Sequence, residues 1–318
     1  MNLYKKIPAF IIGGAMKSGT TTLHHLLNTH SEIFIPDPEI HYFSMDDIFL
    51  HQPLRSRMSG EWIWNKYDES PSKPWNWYCS FFDDAKPDQI IGEDSTHYLF
   101  SSLVPERILK RLPHVKMIFL LRNPVDRAWS QYLHMLRRGK MLWDFDKSIE
   151  VQPATLLMRG LYKEHLEKWY TLFQAENIKV VLFEDLLKNT EAVLMDVAIF
   201  LGLNTRIENF DLKTTQFNKA RFPKYQGIQL WRNRALQGID RRINSLHFPN
   251  KINSEDWGDS FGSRLIERIN ILINPHSSEN KPCMKLETRK LLNEFYKFRN
   301  QGLSELIDNP AVDLWYEE

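Results

Sequence analysis

The chain has 318 residues, 42% of them hydrophobic and 25% charged, an ordinary globular composition that excludes a disordered chain, a collagen or a coiled-coil rod. Lysine and arginine number 41 against 40 aspartates and glutamates, so a net charge of +1 gives no general attraction for nucleic acid or an anionic membrane, and any anion site must be local. Two cysteines, Cys79 and Cys283, are too few for a disulfide framework or a cysteine-rich zinc site, and no metal-ligand spacing is visible.

At roughly 150 residues per domain the length allows one large domain or two small ones. The longest N-terminal apolar run, Ala9 to Met16, is far below the roughly 20 residues that span a bilayer. Lys5 and Lys6 ahead of it imitate a signal peptide, but Pro8 breaks the run and Gly13 and Gly14 dilute it. The same residues make better sense as a strand feeding a loop, so a soluble, cytoplasmic protein is expected.

In chain order, Ile7 to Ile12 reads as a short buried strand, Gly13 to Gly19 as a glycine-bearing turn, and Thr20 to Asn28 as a helix with Leu23, Leu26 and Leu27 on one face. Glu32 to Ile35 is a second short strand, stopped by Pro36 and Pro38. Residues 51 to 82 carry Trp62, Trp64, Trp75, Trp77, Tyr78, Phe81 and Phe82 among prolines and charges, without a clear period. A short strand is expected at Gln89 to Ile91 and a buried one at Lys116 to Leu121, ended by Asn123-Pro124. A helix follows from Val125 to Arg138, with Gly139 as its stop. Leu157, Leu161, Leu166, Trp169 and Phe173 keep helical spacing, Ile178 to Phe183 is a strand, and Val193, Val197, Phe200 and Leu201 mark a helix closed by Gly202. Leu291, Phe295, Phe298, Leu303 and Leu306 suggest one long terminal helix from Lys285 to Ile307. Residues 205 to 282 are irregular and read as a lobe or lid.

Strands alternating with helices imply an α/β fold, a phosphate-loop-type parallel sheet flanked by helices on both faces. One domain is expected over 1–318, its core at about 7–202 plus the terminal helix at 285–307. Ligands of such sheets bind at the carboxyl ends of the strands, which directs attention to the residues after Ile12, Ile35 and Leu121.

The first of these places reads Gly14-Ala15-Met16-Lys17-Ser18-Gly19-Thr20-Thr21. It keeps the glycine spacing of the phosphate loop G-x-x-x-x-G-K-[ST], but Thr20 occupies the lysine place and a lysine stands inside the loop, at Lys17. The usual lysine reaches the outer phosphates of a triphosphate, so a triphosphate fits poorly. The backbone N–H groups from Lys17 to Thr22, at a helix N-terminus, still make an anion nest. At the second place Arg122 follows a strand and Ser130 comes eight residues later, over a turn into a helix. A guanidinium fork and a hydroxyl can hold a phosphate; taken bare, the pair is equally a salt bridge and a helix serine.

Together these segments resemble the PAPS-dependent sulfotransferase family, in particular its carbohydrate (heparan-type) and bacterial branches. Lys17-Ser18-Gly19-Thr20-Thr21-Thr22 looks like the family's loop for the 5′-phosphosulfate, and Arg122-Asn123-Pro124-Val125-Asp126-Arg127-Ala128-Trp129-Ser130 like its 3′-phosphate motif. Pro38-Glu39-Ile40-His41-Tyr42-Phe43 is similar to a Lys-Glu-x-His-x-Phe segment, and Gly92-Glu93-Asp94-Ser95-Thr96-His97-Tyr98-Leu99 to a Gly-Glu-x-Ser-Pro-x-Tyr-Leu segment. Arg159-Gly160-Leu161-Tyr162 and Phe183-Glu184-Asp185-Leu186 also recur there. Three residues depart from the pattern: Pro38 stands for a common lysine, Asp94 for a common lysine and Thr96 for a common proline.

The resemblance implies sulfuryl transfer from PAPS to a hydroxyl or amine without a metal. Lys17, Ser18, Gly19, Thr20, Thr21, Thr22, Arg122 and Ser130 would bind the donor, with Lys17 stabilising the leaving phosphate, and Lys219 and Arg221 resemble a basic loop closing over the nucleotide. Glu39 is the favoured base and His41 its rival; the aromatic setting of Tyr42 and Phe43 is expected to raise the carboxyl's pKa. Glu93, His97, Trp77 and Tyr78 are the acceptor-side candidates, with a carbohydrate, a lipid alcohol or a small molecule as acceptor. Two alternatives stand beside this reading. Thr20 argues against a nucleotide kinase or hydrolase, and the joint presence of Lys17, Glu39, Arg122 and Ser130 argues against a non-catalytic nucleotide- or glycan-binding protein.

Overall fold

The computed structural model describes residues 6–47, 50, 56–58, 61–63, 75–212, 222–236, 266, 268–270, 272–279 and 281–317. The chain divides into two compact units, the first from Met1–Pro124, Leu161–Phe217 and Arg299–Glu318, the second from Val125–Gly160 and Asn218–Phe298. The core expected at 7–202 therefore contributes to both.

The first unit is built on five strands. They are β1 (Phe10–Gly14), β2 (Ile33–Phe34), β5 (Ile90–Asp94), β6 (Lys116–Leu121) and β7 (Ile178–Leu182), in the order β2-β5-β1-β6-β7. Every pairing is parallel; β1 sits at the centre, with Phe10 opposite Gly92 on one side and Lys116 on the other. A separate antiparallel pair, β3 (Ser56–Met58) and β4 (Glu61–Ile63), falls in the stretch where no period is legible. Helices α1 (Thr20–Asn28), α2 (Trp75–Ser80) and α3 (Val104–Arg111) belong to the same unit.

Alternation along the strands decides which helices cover which face. Ile11, Met117, Phe119 and Leu121 join one cluster with Val104 and Ile108 of α3 and with Leu166 and Trp169 of the helix Tyr162–Leu172. Phe10, Ile12, Ile118 and Leu120 join the other, with Leu23, Leu26 and Leu27 of α1 and Leu194, Val197 and Leu201 of the helix Thr190–Leu201. These side chains are almost wholly removed from water, each contributing about 1.5–3 kcal/mol. The parallel sheet flanked on both faces is thus the architecture found.

Several expected elements change form. The spacing from Leu157 to Phe173 spans a 3₁₀ turn at Met158–Gly160 and a separate helix from Tyr162. The terminal helix is two helices, Leu286–Arg299 and Leu303–Ile307, parted at Gly302, whose φ of 81° lies in the left-handed region. Leu291, Phe295 and Phe298 are exposed, and Thr288, Leu292 and Tyr296 are the buried positions of that helix.

In the second unit the helix Pro124–Arg137 continues from Val125, followed by the helices Phe145–Val151, Pro153–Leu156 and Gln226–Leu236. Trp129 stacks on Tyr132, and both meet the ring of Phe145. Asn233 Nδ2 donates to the carbonyls of Leu136 (2.9 Å) and Met141 (2.8 Å), and Arg289 pairs with Asp126. Of the expected lobe at 205–282, the described part holds the helix Gln226–Leu236 and a short antiparallel pair, Phe222–Pro223 with His276–Ser277. Among the described residues no helix is long and apolar enough to cross a membrane.

Leu26→Ala opens a cavity under β1 and β6, and should cost about 2–5 kcal/mol in urea unfolding.

Candidate active site

The site grows from the carboxyl ends of three neighbouring strands, β5, β1 and β6. The turn after β1 passes close to its surroundings. A Cβ on Gly14, whose φ is 133°, would lie 2.8 Å from the carbonyl oxygen of Thr96, and one on Gly19, at φ 90°, 2.7 Å from the ring of Phe183. Lys17 is held at φ 68°. Ser18 is fully buried, and its Oγ has no hydrogen-bond partner among the described residues. Thr20 is buried, Thr21 exposed and Thr22 half-buried. Among the described residues no side chain caps α1, which leaves the N–H groups of its first turn to an anion received by the turn.

Arg122 follows β6 and reaches this turn, its Nη1 donating to the carbonyl of Lys17 at 3.3 Å while the guanidinium lies over the ring of Phe183, 4.7 Å from its centroid. The backbone there is fixed from below. Tyr162 donates its hydroxyl to the carbonyl of Arg122 (2.8 Å), and Asn123 N donates to Glu184 Oε1 (3.0 Å). The Phe183-Glu184 motif therefore floors both the glycine turn and the arginine. Ser130 is half-buried on its helix in the second unit. Lys219 and Arg221 lie outside the described residues.

A second constellation gathers at the end of β5. His41 Nε2 stands 3.0 Å from Glu39 Oε2, and Thr96 donates to the same oxygen through Oγ1 at 2.7 Å and through its N–H at 3.4 Å. Thr96 thus supplies two donors to the carboxylate. His41 N donates to Ser95 Oγ at 2.9 Å, and the imidazole stacks on that of His97 at 4.4 Å between centroids. Among the described residues, only Lys17, His41 and Asp308 combine a side chain with a left-handed φ. Such a backbone costs on the order of 1–3 kcal/mol and persists where packing over-determines it. Two of the three are candidate catalytic residues.

The pKa of Glu39 runs opposite to the expectation. Burial pulls its carboxyl up, but the hydrogen bond and charge of His41 and the hydrogen bonds of Thr96 outweigh that and lower it to about 2. The aromatic rings nearby pack against one another instead. Tyr42, Phe43, Trp75 and Tyr78 form one cluster, with Trp77 on its edge against Phe81. Tyr78 is fully buried there; the side chains of Trp62 and Trp64 lie outside the described residues.

Glu93 is also fully buried, and hydroxyls occupy both oxygens: Ser95 and Tyr98 donate to Oε1 (each 2.6 Å) and Tyr78 to Oε2 (2.5 Å). Burial raises its carboxyl, and the Ser95, Tyr78 and Tyr98 hydroxyls and the charge of His41 draw it back. Glu93 thus braces the segment that carries His41, through Ser95. On the opposite face of the same strand end, Asp94 Oδ2 meets His24 Nδ1 of α1 at 3.3 Å. Sequence reasoning passed over His24, since a pair 70 residues apart leaves no local trace. Among the described residues no group of three or more His, Cys, Asp or Glu side chains is placed to hold a metal.

An anion-receiving turn after β1, an arginine at the end of β6 and a carboxylate–imidazole pair gathered at the end of β5 define a nucleotide-handling α/β protein with acid–base groups at its crevice. The chain belongs to the sulfotransferase domain family, whose profile matches residues 8–281. Heparan sulfate glucosamine 3-O-sulfotransferase 5 of Mus musculus is 28% identical over 254 residues, covering 76% of this chain and 66% of that protein. Bifunctional heparan sulfate N-deacetylase/N-sulfotransferase 2 of Homo sapiens is 26% identical over 333 residues, covering 98% of this chain and 31% of that protein. The chain therefore spans about two thirds of the first relative and under a third of the second. The crystal structure of a sulfotransferase from Alicyclobacillus acidocaldarius matches with a TM-score of 0.63 and 23% identity, over 98% of this chain and 99% of that one, a likeness of fold.

A carboxyl lowered on folding stabilises the protein above its unfolded pKa, and that gain disappears as pH falls through the folded value. The stability difference between the wild type and Glu39→Gln should be present at pH 6 and vanish between about pH 4.5 and 2 in thermal unfolding. Because the Glu39 side chain is 38% exposed, solvent screening holds the difference to about 1 kcal/mol or less.

Proposed function

We propose that this protein is a PAPS-dependent sulfotransferase that moves a sulfuryl group to a hydroxyl, or amine, of a carbohydrate acceptor. The observation that carries the reading is the meeting of Arg122 with Lys17 at the ends of adjacent strands, with Glu39 bound to Thr96 after the strand on β1's other side. The donor bears a 5′-phosphosulfate and a 3′-phosphate, and needs anion-binding groups at two places. The turn Lys17 to Thr22 fits the first, where Ser18 Oγ, without a hydrogen-bond partner among the described residues, is a ready donor; Arg122 is assigned to the second.

The chemistry is mostly positioning and electrostatics. The acceptor's O–H proton passes to Glu39. The acceptor oxygen forms a bond to sulfur, the bond from sulfur to the bridging phosphate oxygen breaks, and its electron pair leaves with adenosine 3′,5′-bisphosphate (PAP). Lys17 stabilises the charge growing on that phosphate, a contribution of about 10²–10³ in rate. Both His41 and Thr96 bind Glu39 Oε2, so Oε1, free of those contacts, is the oxygen assigned to the proton. His41 orients the carboxylate, and its backbone, held by Ser95, fixes the pair. The base is therefore Glu39 with His41 as its orienting partner, which merges the two rival roles. His97, stacked on His41, and Trp77 remain the acceptor-side candidates.

The acceptor class rests on the relatives named for heparan sulfate glucosamine. The near-zero net charge favours an unsulfated or sparsely sulfated sugar over a highly sulfated polymer. The free cysteines, Cys79 and Cys283, suit the cytoplasm.

The test is transfer of labelled sulfate from PAPS, in the presence of a chelator, to an unsulfated glucosamine oligosaccharide and to a long-chain alcohol. Transfer to the sugar supports the reading, and metal-dependent ATP turnover without sulfate transfer overturns it. Lys17→Ala should lower turnover by about 10²–10³. Glu39→Gln should keep PAPS affinity in calorimetry while losing about 10²–10⁴ in rate.

A further inference from the structure

Asp94 and His24 are both buried, at 3% and 4% exposure, and lie at the junction of β5 with α1. Asp94 Oδ1 and His24 Nε2 have no hydrogen-bond partner among the described residues. A buried carboxylate paired with an imidazole and left half-satisfied is a poor device for stability, since apolar residues of similar volume commonly do as well or better. The position is set instead by its neighbours. Asp94 stands two residues before Thr96, which binds Glu39, on the strand end whose other face braces the His41 segment through Glu93 and Ser95.

His24 of α1 is paired with Asp94, and the charges of Glu39 and His41, from the segment after β2, act on it through space. Burial pushes its carboxyl up, the hydrogen bond from His24 pulls it down, the Glu39 charge pushes it up, and the charges of His24 and His41 draw it down, leaving it at about 6. Its charge is thus in electrostatic contact with both members of the base pair, with no direct bond to either.

We propose that Asp94, held by His24, is a positioning residue for Glu39, its carboxylate stabilising the positive charge that the Glu39–His41 pair gains with the acceptor's proton. When the acceptor O–H bond breaks, the proton adds to a pair whose imidazole is buried and whose carboxylate stands at the edge of the core, partly exposed. A neighbouring anion lowers the cost of that gain and lowers it most in the transition state, where the proton is in flight. The aspartate of a serine–histidine–aspartate triad supports an imidazolium by the same physics.

This role rests on Glu39 as the base, and the experiment separates the two. PAP release from PAPS is followed from pH 4.5 to 8.5, with an unsulfated glucosamine oligosaccharide as acceptor, or water where the sugar is inert. Wild type, Asp94→Asn, His24→Phe and Glu39→Gln are compared. The wild-type kcat should rise through an inflection near pH 6. Asp94→Asn should lose that inflection and about tenfold of kcat at pH 7.5, with KM for PAPS unchanged. His24→Phe removes the bond that draws the carboxyl down, and should move the inflection to higher pH. A merely structural pair would lower the whole profile without moving it. An inflection retained in Asp94→Asn, a loss carried by KM for PAPS, or an inflection left in place by His24→Phe overturns the role of Asp94. Where Asp94→Asn does not fold, as judged by circular dichroism, the His24→Phe profile decides. If Glu39→Gln turns over like wild type, the base assignment fails and this role fails with it; if Glu39→Gln is inactive and the other profiles do not move, only the role of Asp94 fails.

Discussion

The close approach of Gly14 to the carbonyl of Thr96 is the constraint on which the rest of the site depends. It joins the turn that receives an anion to the strand end that binds Glu39, with no side chain between them. Arg122 closes the other flank by donating to the carbonyl of Lys17. Parallel strands bring their carboxyl ends to one edge, so three consecutive neighbours in space, distant in sequence, deliver three kinds of chemistry to one crevice. Gly14 and Gly19 sit at positive φ against close neighbours, and Lys17 between them takes up a left-handed conformation that the surrounding packing enforces.

Where a single physical signal dominates, the sequence is readable to the residue. Thr20–Asn28 is bounded by a glycine turn and carries one apolar stripe; Lys116–Leu121 is an unbroken apolar run ended by Asn-Pro. Both elements have the expected bounds. The reading weakens where apolar spacing continues through a break. From Lys285 to Ile307 the spacing suggests one helix, yet Gly302 takes a left-handed turn and the stripe of Leu291, Phe295 and Phe298 faces away from the buried side. Tyr296 and Leu292 are equally apolar, so composition alone does not choose between the two faces.

The site divides in the same way. Lys17, Arg122, Glu39 and His41 stand in local motifs, and the fold brings Lys17 to Arg122 and Glu39 to His41. Glu93 and Tyr78 read as acceptor-facing because they are polar groups beside a motif, whereas the alternation of β5 turns Glu93 inward onto three hydroxyls. The pKa of Glu39 is set, against burial, by His41 two residues on and then by Thr96, which sits 57 residues further along the chain. Aromatic neighbours in sequence do not amount to an apolar environment when their rings pack against each other.

Arg122 has a further consequence for what this position tolerates. One of its nitrogens is engaged in tethering the glycine turn, and its planar face rests on Phe183. A planar guanidinium fork is also the shape that matches a phosphate. A lysine in its place would bring one ammonium on a flexible stem, with neither a flat face for the ring nor a second nitrogen at a fixed angle. The cation at this strand end is therefore a bracket as well as a charge, and its shape is as much a part of the nucleotide crevice as its sign.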